Sequence, residues 1–210
     1  LSWMDEPSAV QALLDLSSRH RTRSVQQAAG LAVQKLSERR GWTAEELADR
    51  TIPTAGFPSP TQAPRAPSTG PPQLLLDYGS REFVATLTDE LQIVVTRADG
   101  RVIKSLPTAA QGDDPELVRV ARQALTSARK SVKEIAQQQT QRLQRSMLSQ
   151  RNWPVPVWQE LLQQHPIVGR LCCRLVWLAV PPVPSPDAAT PPLLFRPLAD
   201  QTLTDAEDAA

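Results

Sequence analysis

The chain has 210 residues, room for one or two domains, and its 23 Lys and Arg nearly balance 22 Asp and Glu, so a net charge of +1 singles out neither nucleic acid nor an anionic membrane as partner. Twenty prolines, about twice the usual share, mark part of it as linker, while two adjacent cysteines (Cys172, Cys173) and two histidines exclude a disulfide framework and a cysteine-rich zinc site. The longest apolar run, 175–183, contains two prolines and is too short to span a bilayer.

With Leu at position 1 and Asp5, Glu6 and Asp15 among the first thirty residues, the start reads as cut, no signal peptide is expected, and the cytoplasm is the default compartment. Val10, Leu13, Leu14 and Leu16 recur at helical spacing after Pro7, and Val25, Ala28, Ala29, Ala32, Val33 and Leu36 form a second stripe. The polar, positive corner between them predicts Ser24 as an N-cap. Gly41 stops the second helix, and Thr43 with Glu46 predicts a capping box for a short third helix ending near Arg50.

Six prolines and no apolar period make 57–73 an extended loop. Short runs rich in Val, Ile, Leu, Phe and Thr at 74–78, 81–87, 91–97 and 101–106 then predict an antiparallel meander, with Asp99-Gly100 as a hairpin turn. Asp113 or Asp114 caps a long helix opening at Pro115, since an acidic pair complements the helix dipole. Nothing breaks 116–151, and Val118, Ala121, Leu125, Ala128, Val132 and Ile135 form a narrow seam that turns polar at Gln139. After Trp153-Pro154, Val157, Trp158, Leu161 and Leu162 predict another helix, and His165-Pro166 breaks the chain before a last one over 167–178. Seven prolines in 181–197 predict a second linker, and the acidic end beyond it a mobile tail.

No G-x-S-x-G elbow, phosphate-binding glycine loop or dinucleotide fingerprint occurs. His165 at a helix junction is expected to bond a loose backbone group, and the cysteine pair to act as small apolar side chains. Trp153, Trp158 and Trp177 are expected to anchor the core. No catalytic, cofactor-binding or metal-ligating residue is assigned, and no cofactor is expected. The strongest local charge lies on the long helix, where eight basic residues face Glu116 and Glu134 between 115 and 151. Arg119, Arg122, Arg129, Lys130, Lys133, Arg142 and Arg145 are therefore the candidate partner-binding residues, for phosphates or for acidic parts of a larger chain.

The runs GWTAEELADRTIPTAG (41–56), LDYGSREFVATL (76–87), ADGRVIKSLP (98–107), DDPEL (113–117), QQTQRLQRSM (138–147) and HPIVGRLCCRLVW (165–177), in this order and spacing, resemble a bacterial domain-of-unknown-function family often joined to a WGR domain and labelled molybdate metabolism regulator-like, or MolR-like. The resemblance implies an internal piece of a much larger protein. That family offers no established catalytic residues to carry over. WGR domains elsewhere accompany DNA-break-sensing enzymes, so the resemblance leaves room for a nucleic-acid-linked role of the parent protein, although no WGR motif stands in these residues. The proline insertions at 57–72 and 180–197 depart from the family's shorter connections.

The expected fold is α+β: N-terminal helices over 8–56, a proline-rich loop at 57–73, and a small antiparallel β-meander followed by a long helix and two shorter helices over 74–178. A proline-rich linker at 179–197 and an acidic tail at 198–210 complete it. The expected function is that of a non-catalytic structural or interaction module, its partners other domains of the parent chain, with no membrane and no small-molecule ligand. The alternatives are a nucleic-acid-associated regulatory domain using the basic helix, and part of an enzyme whose active site lies outside the segment.

Overall fold

Proline at the first helical position opens α1 (Pro7–Arg19), where a missing N–H goes unneeded. The structure, a computed structural model, describes residues 6–58, 70–180, 193–198 and 203–205. The chain divides into two units, 1–53 and 54–210.

In the first unit, Val10 and Leu13 of α1 pack with Ala29, Val33 and Leu36 of α2 (Arg23–Arg40) and Leu47 of α3 (Ala44–Arg50), the stripes read from the spacing. The predicted cap shifts from Ser24 to Thr22, because the Thr22 N–H is held by His20 Nδ1 at 3.1 Å, which fixes the corner before Ser24 is reached. Gly41 ends α2 at a φ of 65°, which favours glycine. The capping box forms as expected: Thr43 Oγ1 accepts from the Glu46 N–H, and the Glu46 carboxylate from the Thr43 N–H at 2.7 Å. Gln11 Nε2 donates to the Ala48 carbonyl and to Thr51 Oγ1, tying α1 to the end of α3.

In the second unit, β1 (Gln73–Asp77), β2 (Glu82–Leu87), β3 (Ile93–Arg97) and β4 (Val102–Ile103) form an antiparallel sheet in chain order, the meander the sequence predicts. Alternate side chains point to opposite faces, so Leu76, Phe83, Ala85 and Val95 share the inner one. Gly100, at a φ of 79°, turns β3 into β4. The inner face is covered by Val118, Ala121 and Leu125 of α4 (Pro115–Leu148), a 34-residue helix about 50 Å long. The outer face carries the cross-strand row Leu75, Val84, Thr96 and Val102, whose two ends are 58% and 68% exposed.

The acidic pair before α4 divides its labour. Asp114 is the N-cap, its Oδ1 accepting from the Glu116 N–H. Asp113, expected to share that role, instead takes both carboxylate oxygens to the Arg81 guanidinium and also accepts from Ser80 Oγ and the Ala110 N–H. Helix-dipole reasoning misses this because Arg81 is 32 residues away in sequence.

Three expectations after α4 are corrected. The helix stops at Leu148, short of Arg151, where Gln150 adopts a φ of 51°. The helix expected around Trp158 is a short α5 (Val155–Trp158) that widens into a π-helical turn (Gln159–Gln163). The helix expected over 167–178 is confined to α6 (Val168–Cys172); tight turns follow, with the Arg174 N–H on the Leu171 carbonyl, and the Trp177 indole donates to the Cys172 carbonyl. Residues 177–179 then become β5 (Trp177–Ala179), which pairs with β6 (Leu193–Pro197), itself paired with β7 (Leu203–Asp205). Proline content hides β6, and acidic composition hides β7. Trp158 is buried and packs edge-to-face on Trp177 and Phe195, so it anchors the core as expected, while Trp177 and Trp153, packed edge-to-face on each other, are only half-buried. The extended loop predicted at 57–73 falls mostly on 59–69, outside the described residues, as do 181–192 of the expected linker.

Candidate functional site

At 100° per residue, Arg119, Arg122, Arg129, Lys130 and Lys133 fall within about 100° of arc on α4, whereas Arg142 and Arg145 turn to other sides. The structure therefore brings five of the seven predicted residues onto one face.

These five are not equivalent. Arg119 pairs with Glu116, each holding the other in its charged form, and also donates to Gln123. Arg122 folds back to donate to the Pro107 carbonyl at 2.7 Å. Lys130 stands 4.0 Å from Glu134. Farther along, Arg142 donates to Gln139 Oε1 and Arg145 to the Gln141 carbonyl. Arg129 and Lys133, one turn apart on the helix, make no ion pair or hydrogen bond among the described residues.

Those two side chains rim a groove of about 620 Å³ between α4 and the β2–β3 turn. Leu91, Ile93, Val132 and Ala136 supply its apolar part, and Glu90 and Gln92 stand on the turn side. The Thr88 side chain bonds the Glu90 carboxyl and lowers its pKa. Leu91 adopts a φ of 63°, a conformation costly for a branched side chain. It persists because the turn is bonded on all sides: the Leu91 N–H reaches the Thr88 carbonyl at 3.0 Å, and the Thr88 N–H the Gln92 carbonyl at 2.9 Å.

The turn is further gripped by α6 and the residues after it. Arg170 donates to the Thr88 carbonyl and lies 3.6 Å from Asp89, while Arg174 donates to the Asp89 carbonyl. Burial lowers the Arg170 pKa, which the nearby Asp89 charge partly offsets. The sequence places this turn, Thr88 with Asp89 breaking the runs at 81–87 and 91–97, but not the two arginines, which reach it from 82 and 85 residues away.

His165 behaves as expected, its Nδ1 accepting from the Ile167 and Val168 N–H groups at 3.1 and 3.2 Å and so capping α6. Cys172 and Cys173 are both free thiols, and burial pushes both pKa values upward, which disfavours the thiolate a nucleophile needs. Among the described residues no group of three or more His, Cys, Asp and Glu gathers to hold a metal ion, and no helix is long and apolar enough to cross a membrane. What the groove offers chemically is an aliphatic floor with two cations on one wall and a carboxylate on the other.

The family described as "Domain of unknown function (DUF4132)" matches residues 100–210. The "Uncharacterized protein YehI" of Escherichia coli (strain K12) is 28% identical over 181 residues, which cover 86% of this chain and 14% of that protein. The chain thus spans about a seventh of the length of this curated relative. No solved structure matches the chain.

Proposed function

Since the chain belongs to the family described as "Domain of unknown function (DUF4132)", whose description assigns no chemistry, we propose that it acts as a non-catalytic interaction module within a larger bacterial protein. The observation that carries this reading is the outer row of the first sheet. Leu75 and Val102 are the apolar ends of a cross-strand row, with 58% and 68% of their surfaces open to water, and covering them would contribute about 1 kcal/mol each. That the match covers only 14% of the relative supports other parts of one polypeptide as the cover. The MolR-like character and the association with WGR domains belong to the same proposal, supported by the order and spacing of the motifs quoted above. A cytoplasmic setting, which would keep Cys172 and Cys173 reduced, completes it.

The test is the double substitution Leu75→Lys with Val102→Lys. Because both side chains are exposed, the 210-residue chain should melt as before yet lose its association with the rest of the parent polypeptide supplied in trans. Association that survives the double substitution contradicts the reading.

A second reading, a nucleic-acid-associated domain, is favoured by the five cations on one arc of α4. Its test is the slope of log affinity against log salt for duplex DNA, which should approach one unit per phosphate contacted. No binding at about 50 mM salt would remove it.

A further inference from the structure

We propose that the groove between α4 and the β2–β3 turn is a docking site for an acidic, aliphatic peptide segment. The inference rests on the interaction-module reading and names a site and a partner chemistry for it.

Three observations converge. Arg129 and Lys133 are the members of the cationic face without an internal partner among the described residues, and both stand on this groove. Their spacing of four residues puts two cations one helical turn apart, matching two carboxylates displayed by a peptide. The floor between them is aliphatic, from Leu91, Ile93, Val132 and Ala136. It offers no aromatic ring on which a nucleobase could stack, and Glu90 on the opposite wall repels a phosphodiester backbone. That carboxylate suits a peptide, whose main-chain N–H groups can donate to it while its acidic side chains face α4. A volume of about 620 Å³ takes a few side chains of such a segment.

The groove is also shaped in advance. The strained Leu91 conformation is fixed by the Thr88 and Gln92 backbone bonds, and Arg170 and Arg174 hold the same turn from outside. A preformed wall lowers the ordering cost of capturing a flexible partner.

The probe is a fluorescein-labelled peptide of about twelve residues composed of Glu, Leu and Ala, titrated with the 210-residue chain at low salt and followed by anisotropy. Saturable binding is expected, weakened about tenfold by Arg129→Gln with Lys133→Gln, the scale of two exposed ion pairs. Arg97→Gln with Lys104→Gln removes the same charge from exposed positions outside the groove and should change affinity less than about twofold. Absence of saturable binding, equal losses for both double variants, or tighter binding of a labelled single-stranded DNA of similar length would each overturn the proposal. None of these results touches the Leu75 and Val102 experiment, so failure of the groove and failure of the interaction-module reading are told apart.

Discussion

The guanidinium of Arg170 donates to the main-chain carbonyl of Thr88 at 3.2 Å, joining α6 to the β2–β3 turn across 82 positions of sequence. The same side chain donates to the Pro166 carbonyl and is 10% exposed. One arginine thus fixes both the start of α6 and the wall of the groove.

Replacing it leaves carbonyls of the turn and of the helix entry without a donor. Arg170→Met keeps the apolar stem and removes the charge-assisted bonds, so a loss of about 2–3 kcal/mol is expected in urea unfolding. Arg170→Lys, which keeps charge without the planar fork, should recover only part of it.

Asp113 governs the acid limb of stability. The Arg81 guanidinium, with help from Ser80 and the Ala110 N–H, holds its carboxyl well below the usual carboxylate range. A folded-state pKa below the unfolded value near 3.9 gives stability that is fully present above that value and is lost as pH falls below about 4. Asp113→Asn should therefore unfold at lower urea than the parent at pH 7, with the gap between them narrowing at pH 3. A gap that stays constant across this range would mean that the ion pair does not set the acid limb.

Two glycines make opposite predictions. A Cβ at Gly169 would lie 2.2 Å from the Gln163 carbonyl oxygen, so Gly169→Ala forces the π-helical turn and α6 apart and should cost about 2–3 kcal/mol. Gly30, inside α2, has nothing within 4 Å of an added Cβ, and Gly30→Ala should stabilise the first unit by about 0.5–1 kcal/mol through the lower helical entropy cost of alanine. Thermal melts of the two variants should shift in opposite directions.

The thiols should be sluggish. With both pKa values raised by burial, iodoacetamide at pH 7.5 should label Cys173 slowly and Cys172 only after unfolding, in the order of their exposure. Rapid alkylation of Cys172 in the native chain would show that α6 opens readily.

What the sequence made legible follows the range of the forces involved. Gly41, the Thr43 and Glu46 box, the Asp99-Gly100 turn and the seam from Val118 to Ile135 are local devices, and each lies where the spacing placed it. The misses are long-range. Arg81 captures Asp113 from 32 residues away, and Trp177 leaves the helical path because its ring packs edge-to-face with Trp158 and its strand pairs with residues 193–195. The basic face of α4 was readable at 3.6 residues per turn, but which of its cations would stay unpartnered was not. That depends on Pro107 reaching Arg122, and on a turn whose Leu91 sits in a conformation no propensity favours.

The most direct test of the interaction-module account is hydroxyl-radical footprinting of Leu75 and Val102 in the 210-residue chain and in the longer polypeptide that the account proposes for it. The account predicts that both side chains oxidise readily in the isolated chain and are several-fold protected in the longer polypeptide. Equal oxidation of Leu75 and Val102 in the two samples would contradict it.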